Sequence, residues 1–324
     1  MKILVTGCAG FIGFHLANKL SQNKNNIIFG IDNVNNYYDI KLKKDRLKIL
    51  KQNKNFKFSK FDITSFTRIN SFFKKKKIDI VIHLAAQAGV RYSITNSEAY
   101  VKSNLIGFYN IIENSRLFKI KKFFYASTSS VYGDSNNFPL SEFSNTNNPK
   151  SFYAATKKSN EVLAYSYYEI FKFKAIGLRF FTVYGEFGRP DMALFKFTKC
   201  IIENKKIELF NGGDHVRDFT YISDVVESIR RLITKKFDFP EIFNISSSNP
   251  QQLKKFLKIT EQIIGKKAKI INKKMQKGDV YKTHGDSKKL QKKINFLPSV
   301  DIDEGIKKFI NWYKKYYKLD EKNK

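Results

Sequence analysis

Short runs of apolar residues alternate with longer amphipathic stretches through the first half of the chain. Buried parallel strands form nearly continuous apolar segments of about four to eight residues. Such runs cover residues 2–6, 27–32, 56–62, 78–85, 123–127 and 175–181. Helical apolar periodicity predicts helices between them, over residues 11–23, 41–52, 65–75, 97–118 and 151–171. This alternation predicts an α/β fold with a doubly wound parallel sheet.

The regular alternation ends after Gly185. Loops rich in Gly and Asp, at residues 188–191 and 211–214, separate shorter elements, and residues 251–264 have the pattern of an amphipathic helix. We expect a smaller, mixed α/β C-terminal substrate-binding region at the carboxyl edge of the sheet, where open α/β sheets bind ligands. The predicted boundaries are 1–178 for the sheet domain and 179–324 for the second region, partly interleaved with the first.

The chain is globular in composition and strongly basic. Its 324 residues are 42% hydrophobic, and 60 Lys and Arg outnumber 29 Asp and Glu, for a net charge of +31. The lysines are scattered, and we expect most of them, including Lys41, Lys43 and Lys44, at solvent-facing positions. Asn, Ile, Phe and Tyr are also abundant, a joint bias typical of A/T-rich codons. Compositional bias is therefore favoured over nucleic-acid binding as the explanation of the positive charge, although this charge can assist the binding of anionic substrates.

Neither a metal site nor a membrane segment is indicated. Cys8 and Cys200 are far apart and lack metal-ligand spacing. Two cysteines fit a reduced, cytoplasmic setting. The chain enters its first strand directly, with no signal-peptide pattern, and no apolar run is long enough to span a bilayer.

Three glycines follow the first predicted strand and open the first predicted helix. Gly7 permits a tight turn, Gly10 lets the backbone approach a pyrophosphate at the positive helix N-terminus, and Gly13 allows close packing of helix on strand. Phe11 and Ile12 open the helix beside that site. The alternative is a tight turn without a ligand. The context predicts a Rossmann-type dinucleotide site.

Asp32 ends the second predicted strand, where a carboxylate meets the adenosine ribose hydroxyls. Asn33 follows it, with no Arg to receive a 2′-phosphate, so NAD is favoured over NADP. The alternative is that Asp32 caps the next helix. Further cofactor contacts are expected at the ends of the third and fourth strands, from Asp62, Ile63, Ala85, Ala86 and Gln87.

Tyr153 and Lys157 are four residues apart and share a helix face. A free tyrosine has a pKa of about 10, and a neighbouring ammonium together with a positive nicotinamide would stabilise the phenolate. Tyr-x-x-x-Lys is common on helices. Combined with the glycine motif and the hydroxyl cluster at residues 127–130, the pair predicts redox chemistry at an alcohol carbon beside a nicotinamide.

From residue 1 to about residue 312 the chain resembles the extended short-chain dehydrogenases/reductases, in their nucleotide-sugar epimerase and dehydratase branch. The resemblance implies that Thr128 hydrogen-bonds the reacting sugar oxygen beside Tyr153. It also places Asn104 at a recurrent position near the cofactor, with a structural helix asparagine as the alternative. A homodimer joined through helices 97–118 and 151–171 is implied as well. Ser129 and Ser130 stand where dehydratases carry an acid–base carboxylate pair, which disfavours a 4,6-dehydratase.

Residues 32–39, 85–93 and 182–193 resemble UDP-glucuronate 4-epimerases, and Thr182 stands where relatives acting on neutral UDP-glucose usually have Asn. Oxidation at C4 of a glucuronate gives a β-keto acid, which loses carbon dioxide when its carboxylate bond aligns with the carbonyl. Arg189 could clamp that carboxylate, with help from Thr182. Arg189 could instead only hold its own loop. Arg91 is a second candidate for anion binding. The family's small-residue and Trp pair is Glu186 and Phe187 in this chain.

Residues 216–225 match the family segment in which an arginine, Arg217 here, binds the UDP pyrophosphate. Asp224 in that segment is expected to be structural, at the start of a helix. Residues 278–280, with Asp279, resemble the loop that closes over the nucleotide. Upstream, where the family commonly has a basic phosphate ligand, this chain has Gln276 and Lys277. Ser129 completes the expected substrate contacts.

The predicted function is NAD-dependent epimerisation at C4 of a UDP-sugar, most directly UDP-glucuronate to UDP-galacturonate through a 4-keto intermediate. Alternatives are a UDP-glucose or UDP-N-acetylglucosamine 4-epimerase and a UDP-glucuronate decarboxylase. A non-catalytic NAD- or polyanion-binding protein belongs to another class, and the intact set of Tyr153, Lys157 and Thr128 argues against it.

Overall fold

A computed structural model describes residues 1–276 and 278–319. Its main sheet contains β1 (Lys2–Thr6), β2 (Ile27–Asp32), β3 (Phe56–Lys60), β4 (Ile80–His83), β5 (Lys122–Thr128), β6 (Ala175–Phe180) and β10 (Glu241–Ile245). The strand order is β10-β6-β5-β4-β1-β2-β3, and every pair is parallel. The order reverses between β1 and β4, so a crevice opens at their carboxyl ends. The predicted Rossmann-type fold is confirmed.

Helices cover both faces of this sheet, and others pack in the C-terminal region. They are α1 (Phe11–Ser21), α2 (Ile40–Leu50), α3 (Phe66–Lys76), α4 (Tyr92–Thr95), α5 (Ser97–Tyr100), α6 (Gly107–Leu117), α7 (Phe152–Phe171), α8 (Ala193–Ile202), α9 (Ile222–Thr234), α10 (Leu253–Ile264), α11 (Lys288–Ile294) and α12 (Ile302–Tyr316). Within β1, Ile3 and Val5 join one apolar cluster while Leu4 joins the other. Such burial on both faces explains why the strands are nearly continuous apolar runs.

Two small sheets build the second region. One contains β7 (Thr182–Tyr184), β9 (Val216–Tyr221) and β11 (Pro250–Gln252), and the other contains β8 (Lys206–Phe210) and β12 (Lys269–Lys273). β11 pairs antiparallel with β9, so the expected helix over 251–264 begins only at Leu253. β10, from the same half of the chain, lies beside β6 in the main sheet.

The helix expected over 97–118 contains a π-helical turn at Val101–Ile106 between α5 and α6. Asn104 lies in this turn and is buried, with its amide hydrogen-bonded to other segments. Gly107 follows, where a Cβ would lie 2.5 Å from Ile63. One inserted residue hardly alters apolar periodicity, so the sequence pattern did not indicate the turn. In the described part of the chain, no helix is both long and apolar enough to span a membrane.

Candidate active site

The loop between β1 and α1 forms an open cradle over the helix N-terminus. Gly7 has φ +72°, and a Cβ there would lie 2.7 Å from the Ala85 nitrogen; a Cβ on Gly13 would lie 2.1 Å from the Gly7 carbonyl oxygen. Around Gly10, the only described atoms that a Cβ would meet within 4 Å belong to Gly7. The helix starts without a side-chain cap. These features fit a pyrophosphate bound by backbone N–H groups.

Asp32 lies at the carboxyl end of β2, beside this cradle. Its carboxylate accepts hydrogen bonds from Ala9 N at 3.0 Å and Val34 N at 2.7 Å. Burial raises the pKa of Asp32, and these two donors oppose the shift. The cap of α2 is Asp39, which accepts from Lys41 N at 2.8 Å. The alternative role of Asp32 as the cap of that helix is therefore wrong, and its position suits a ribose.

The other expected cofactor residues lie along the same edge. Asn33 Nδ2 donates to Asp62 at 2.6 Å, so the ends of β2 and β3 are joined. Burial would raise the pKa of Asp62, but Thr64 N and Asn33 hold it below its ordinary value. Ala85 N donates to Thr6 Oγ1 at 3.1 Å, which ties the end of β4 to β1.

The Asn104 side chain hydrogen-bonds other segments of the protein. It accepts from Gln87 N at 2.8 Å and donates to Gln87 O and Thr156 Oγ1, each at 3.1 Å. These bonds join the segment after β4 to α7. The geometry favours the structural alternative for this asparagine.

Lys157 is buried on α7, one turn after Tyr153. Ser151 caps this helix by accepting from Ala154 N at 3.1 Å, so Tyr153 and Lys157 lie in its first two turns. The Lys157 ammonium donates to the Ala126 carbonyl at 3.1 Å, and burial lowers its pKa to about 8. Burial and the Lys157 charge also lower the pKa of His83, to about 3.

Tyr153, Thr128 and Arg189 are brought together from three distant segments. Burial raises the Tyr153 pKa, while a hydrogen bond with Thr128 and the charge of Arg189 lower it. Thr128 also accepts from Ser130 N at 3.2 Å, at the start of a 3₁₀ turn, Ser129–Tyr132. The phenol is therefore partly buried, at a position where added positive charge would favour its ionisation.

Arg189 pairs with a carboxylate of its own loop. Its Nε donates to Asp191 Oδ1 at 3.0 Å and its Nη2 to Oδ2 at 2.5 Å, in bidentate geometry. Burial disfavours the guanidinium charge, but Asp191 raises the Arg189 pKa overall. Thr182 and Arg189 line one cavity with Phe11. The structure thus shows the loop contact given as the alternative, in the cavity where a carboxylate clamp is expected.

Arg217, expected at the pyrophosphate, forms one cluster with Arg91, the second anion candidate, and with Asp279 of the expected nucleotide-closing loop. Arg217 Nη2 donates to Asp279 Oδ1 at 2.9 Å, and Arg91 Nη2 lies 3.5 Å from Asp279 Oδ2. His215 is buried beside them, and its Nε2 lacks a hydrogen-bond partner among the residues described. The arrangement offers two cations to a diphosphate. Lys277 lies outside the described residues.

Asp224 is structural, as expected. Its carboxylate accepts from Ser299 N at 3.0 Å and Val300 N at 3.1 Å. These bonds join the first turn of α9 to the segment before α12.

The expectation that Lys43 faces solvent is wrong. Its side chain is buried, and its ammonium donates to the Asn35 carbonyl at 2.8 Å. On the same helix, Arg46 is fully buried and donates to Ala9 O and Tyr38 Oη, each at 2.7 Å, and to Phe187 O at 2.6 Å. Arg46 joins the glycine loop to the segment before Arg189. The lysine-rich pattern of α2 is typical of an exposed helix and did not indicate this role.

A buried ion pair behind β5 was also missed. Arg179 forms a bidentate pair with Glu161, both bonds 2.8 Å, and Glu161 accepts from Ser127 Oγ at 2.6 Å. The Ser127 hydroxyl is therefore bound to Glu161, whereas Thr128 hydrogen-bonds Tyr153. The available signal was an arginine within the apolar strand β6, because a buried guanidinium requires a carboxylate partner.

Glu186 and Phe187 contact other side chains of the protein. The Glu186 carboxylate accepts a short hydrogen bond from the Tyr221 hydroxyl. The Phe187 ring lies 5.0 Å from Phe14 and 4.9 Å from Trp312. The departure from the family pair thus fills an aromatic cluster beside α1 and α12.

The chain matches a known protein family over most of its length. The model of the NAD dependent epimerase/dehydratase family matches residues 3–246. The chain is 51% identical to the uncharacterized protein MJ1055 of Methanocaldococcus jannaschii over 96% of each chain. It is 42% identical to a UDP-glucuronate 4-epimerase of Thermodesulfobacterium geofontis, covering 98% of this chain and 97% of the relative.

A solved structure is similar over nearly its full length. It is the UDP-glucuronic acid 4-epimerase of Bacillus cereus in complex with UDP-glucuronic acid and NAD, 34% identical, with a TM-score of 0.93. The alignment covers 98% of this chain and 100% of that chain. Together with the glycine cradle and the Tyr153–Lys157 helix, these matches show that the chain belongs to the NAD dependent epimerase/dehydratase family.

Proposed function

We propose that this protein is an NAD-dependent isomerase that converts UDP-glucuronate to UDP-galacturonate by epimerisation at C4. One observation carries the choice of substrate: Arg189 and Thr182 line one cavity, and the Arg189 charge lowers the pKa of Tyr153. A cation beside the reacting carbon suits a sugar that bears a carboxylate at C6. The full-length similarity to proteins named UDP-glucuronate 4-epimerase supports the same choice.

Tyr153 removes the proton of the C4 hydroxyl, and Thr128 hydrogen-bonds the same oxygen. Lys157, held on the Ala126 carbonyl, stabilises the phenolate through its charge. NAD, when bound, accepts the hydride from C4 and returns it. Arg217 and Arg91 hold the diphosphate while the keto sugar turns to present its other face. Tyr153 then returns the proton. Because the hydride is also returned, NAD is not consumed.

Arg189 and Thr182 hold the substrate carboxylate during the keto stage. A β-keto acid decarboxylates when its C5–C6 bond aligns with the C4 carbonyl π system. A bidentate clamp on the carboxylate prevents that alignment, because it fixes the position of C6 and with it the ring conformation that sets the direction of the C5–C6 bond. This role separates an epimerase from a decarboxylase built on the same fold.

The test is incubation of the purified protein with UDP-glucuronate and NAD, with products resolved by NMR. UDP-galacturonate is the expected product. UDP-xylose would indicate the decarboxylase, and faster conversion of UDP-glucose in a parallel reaction would indicate a neutral-sugar epimerase. Arg189→Ala should weaken UDP-glucuronate binding by about 2–5 kcal/mol and release decarboxylated product. Unchanged affinity and product ratio in this variant would overturn the clamp.

A homodimer is proposed from an apolar surface on two adjacent helices. Val162 and Tyr165 on α7 are exposed by 57% and 59%, and Tyr109 on α6 by 48%. Patches of this kind mark interfaces. A second copy related by a two-fold axis would bury the same surface on both chains as a four-helix bundle.

The free cysteines Cys8 and Cys200 fit a reduced compartment, and we place the enzyme in the cytoplasm.

A further inference from the structure

Asp191 holds one edge of the Arg189 guanidinium. The two bonds to the carboxylate use Nε and Nη2, at 3.0 and 2.5 Å. A guanidinium has five N–H donors, in a planar fork. The Nη1 side therefore remains as a second edge that can pair with another carboxylate in bidentate fashion.

Asp191 is itself held by a distant segment. Its Oδ2 accepts a hydrogen bond from the Tyr37 hydroxyl at 3.2 Å, across 154 positions of sequence. The Tyr37 ring packs 4.9 Å from that of Tyr92, and the Arg189 guanidinium carbon lies 5.9 Å from the Tyr37 ring centre. Burial and the Asp191 charge raise the pKa of Tyr37 to about 12, so its hydroxyl keeps its proton and remains a donor.

We propose that Asp191 is a positioning residue that sets the product of the reaction. It fixes the rotation of Arg189 so that the free edge of the guanidinium meets the substrate carboxylate, and Tyr37 fixes Asp191 in turn. The inference rests on the proposed function and deepens it. It assigns the orientation of the clamp to a carboxylate that does not touch the reacting atoms.

The consequence of a loose clamp follows from the chemistry of the 4-keto acid. If Arg189 can rotate, C6 is no longer held in place, and the sugar ring can change conformation until the C5–C6 bond aligns with the C4 carbonyl π system. That bond then breaks, its electron pair moves into the enolate of C5, C4 and the carbonyl oxygen, and carbon dioxide leaves. C5 takes a proton from water, which gives a UDP-4-keto-pentose. The oxidant is the NAD of the epimerisation itself, and each released 4-keto-pentose leaves one NADH because the hydride is not returned.

Charge alone gives a different expectation for the same residue. Burial would raise the Asp191 pKa, but Arg189 holds it below its ordinary value, so Asp191 is an anion beside an expected anion site. If it were only a competitor, its removal would tighten UDP-glucuronate binding without changing the products. The positioning role predicts instead that removal of Asp191 weakens UDP-glucuronate binding and changes the products.

The experiment compares wild type, Asp191→Asn and Tyr37→Phe on UDP-glucuronate with NAD. KM, kcat and the ratio of UDP-galacturonate to UDP-4-keto-pentose are measured by NMR. Asp191→Asn keeps the side-chain size but loses the charge, and the decarboxylated fraction should rise roughly tenfold, with a higher KM. Tyr37→Phe leaves the ion pair in place and should raise the fraction by less. The matched control is Asp79→Asn. Asp79 precedes β4, at the amino ends of the strands and opposite the carboxyl ends where the site lies.

The outcomes separate this inference from the proposed function. If wild type makes UDP-galacturonate and both variants keep its product ratio, the positioning role is wrong and the epimerase remains. A lower KM with unchanged products in Asp191→Asn would also overturn it. If wild type does not convert UDP-glucuronate, the proposed function fails and the inference falls with it. Tyr37→Phe retains both charged groups, so it tests the role even if Asp191→Asn does not fold.

Discussion

The Lys157 ammonium donates a hydrogen bond to the main-chain carbonyl of Ala126, at 3.1 Å. The carbonyl belongs to β5, two residues before Thr128, and the lysine to α7, one turn after Tyr153. One bond therefore fixes the distance between the strand that carries the hydroxyl and the helix that carries the phenol. Because Lys157 is buried at 2% exposure, its charge acts with little screening by water.

Tyr153→Phe should lower kcat by about 10²–10⁴-fold, because it removes the group that transfers the C4 proton. The ring and its contact with Tyr100, 6.0 Å between centres, are kept. NAD binding measured by calorimetry should therefore remain unchanged. A loss of only about tenfold, roughly 1.4 kcal/mol, would contradict the assignment of Tyr153 as the base.

Asp32→Ala should weaken NAD binding by about 1.5–3 kcal/mol, the range for hydrogen bonds to a charged group. Mass spectrometry of the cofactor released from denatured wild-type protein should identify NAD. Asp39→Ala is the matched control. It removes the cap of α2, costs about 1 kcal/mol of stability and leaves the NAD dissociation constant unchanged. Release of mainly NADP from wild type would overturn the cofactor assignment.

Glu161→Gln should lower the free energy of unfolding by about 3–5 kcal/mol, because it leaves the Arg179 charge buried without its partner. Urea denaturation provides the measurement. Glu169→Gln, on the same helix, removes an exposed carboxylate 3.9 Å from Lys172 and should cost less than about 1 kcal/mol. Equal effects of the two variants would show that the buried pair contributes little.

The stability of wild type should rise with pH relative to Lys157→Met above about pH 8. Burial lowers the pKa of Lys157 to about 8 in the folded protein, whereas a lysine in an unfolded chain titrates near about 10.4. Between these values the unfolded chain binds more protons, so the free energy of unfolding increases with pH. The stability gained at high pH is lost again as the pH falls to about 8. Urea titrations across this window test the difference, with the exposed Lys174→Met as control. A flat difference would contradict the burial of the ammonium.

Val162→Asp should convert the proposed dimer to a monomer, because it places a charge at the centre of the apolar surface on α7. Light scattering at micromolar concentration reports the mass. Leu297→Asp is the control, since Leu297 is equally exposed, at 60%, but outside both bundle helices. Monomeric wild type would rule out the proposed assembly.

The sequence by itself determined the parallel sheet, the glycine cradle and the shared face of Tyr153 and Lys157. These are properties of short segments. Apolar runs bury on both faces of a sheet, a glycine turn needs only its own backbone freedom, and a spacing of four residues places two side chains together on any helix. Family resemblance extended this to Thr128, Arg189 and Arg217, whose neighbours it could not specify.

Only the tertiary structure decided which charged groups meet. Lys43 and Arg46 are on a lysine-rich helix that looks exposed, yet both are buried because the glycine loop and residues 35, 38 and 187 supply their acceptors. Asp191 meets Tyr37 across 154 positions, and β10, which follows β9 of a small sheet along the chain, pairs with β6 of the main sheet. Such contacts depend on how distant segments pack, and no local periodicity records them. The orientation of Arg189, and with it the expected product, is therefore a property of the folded chain.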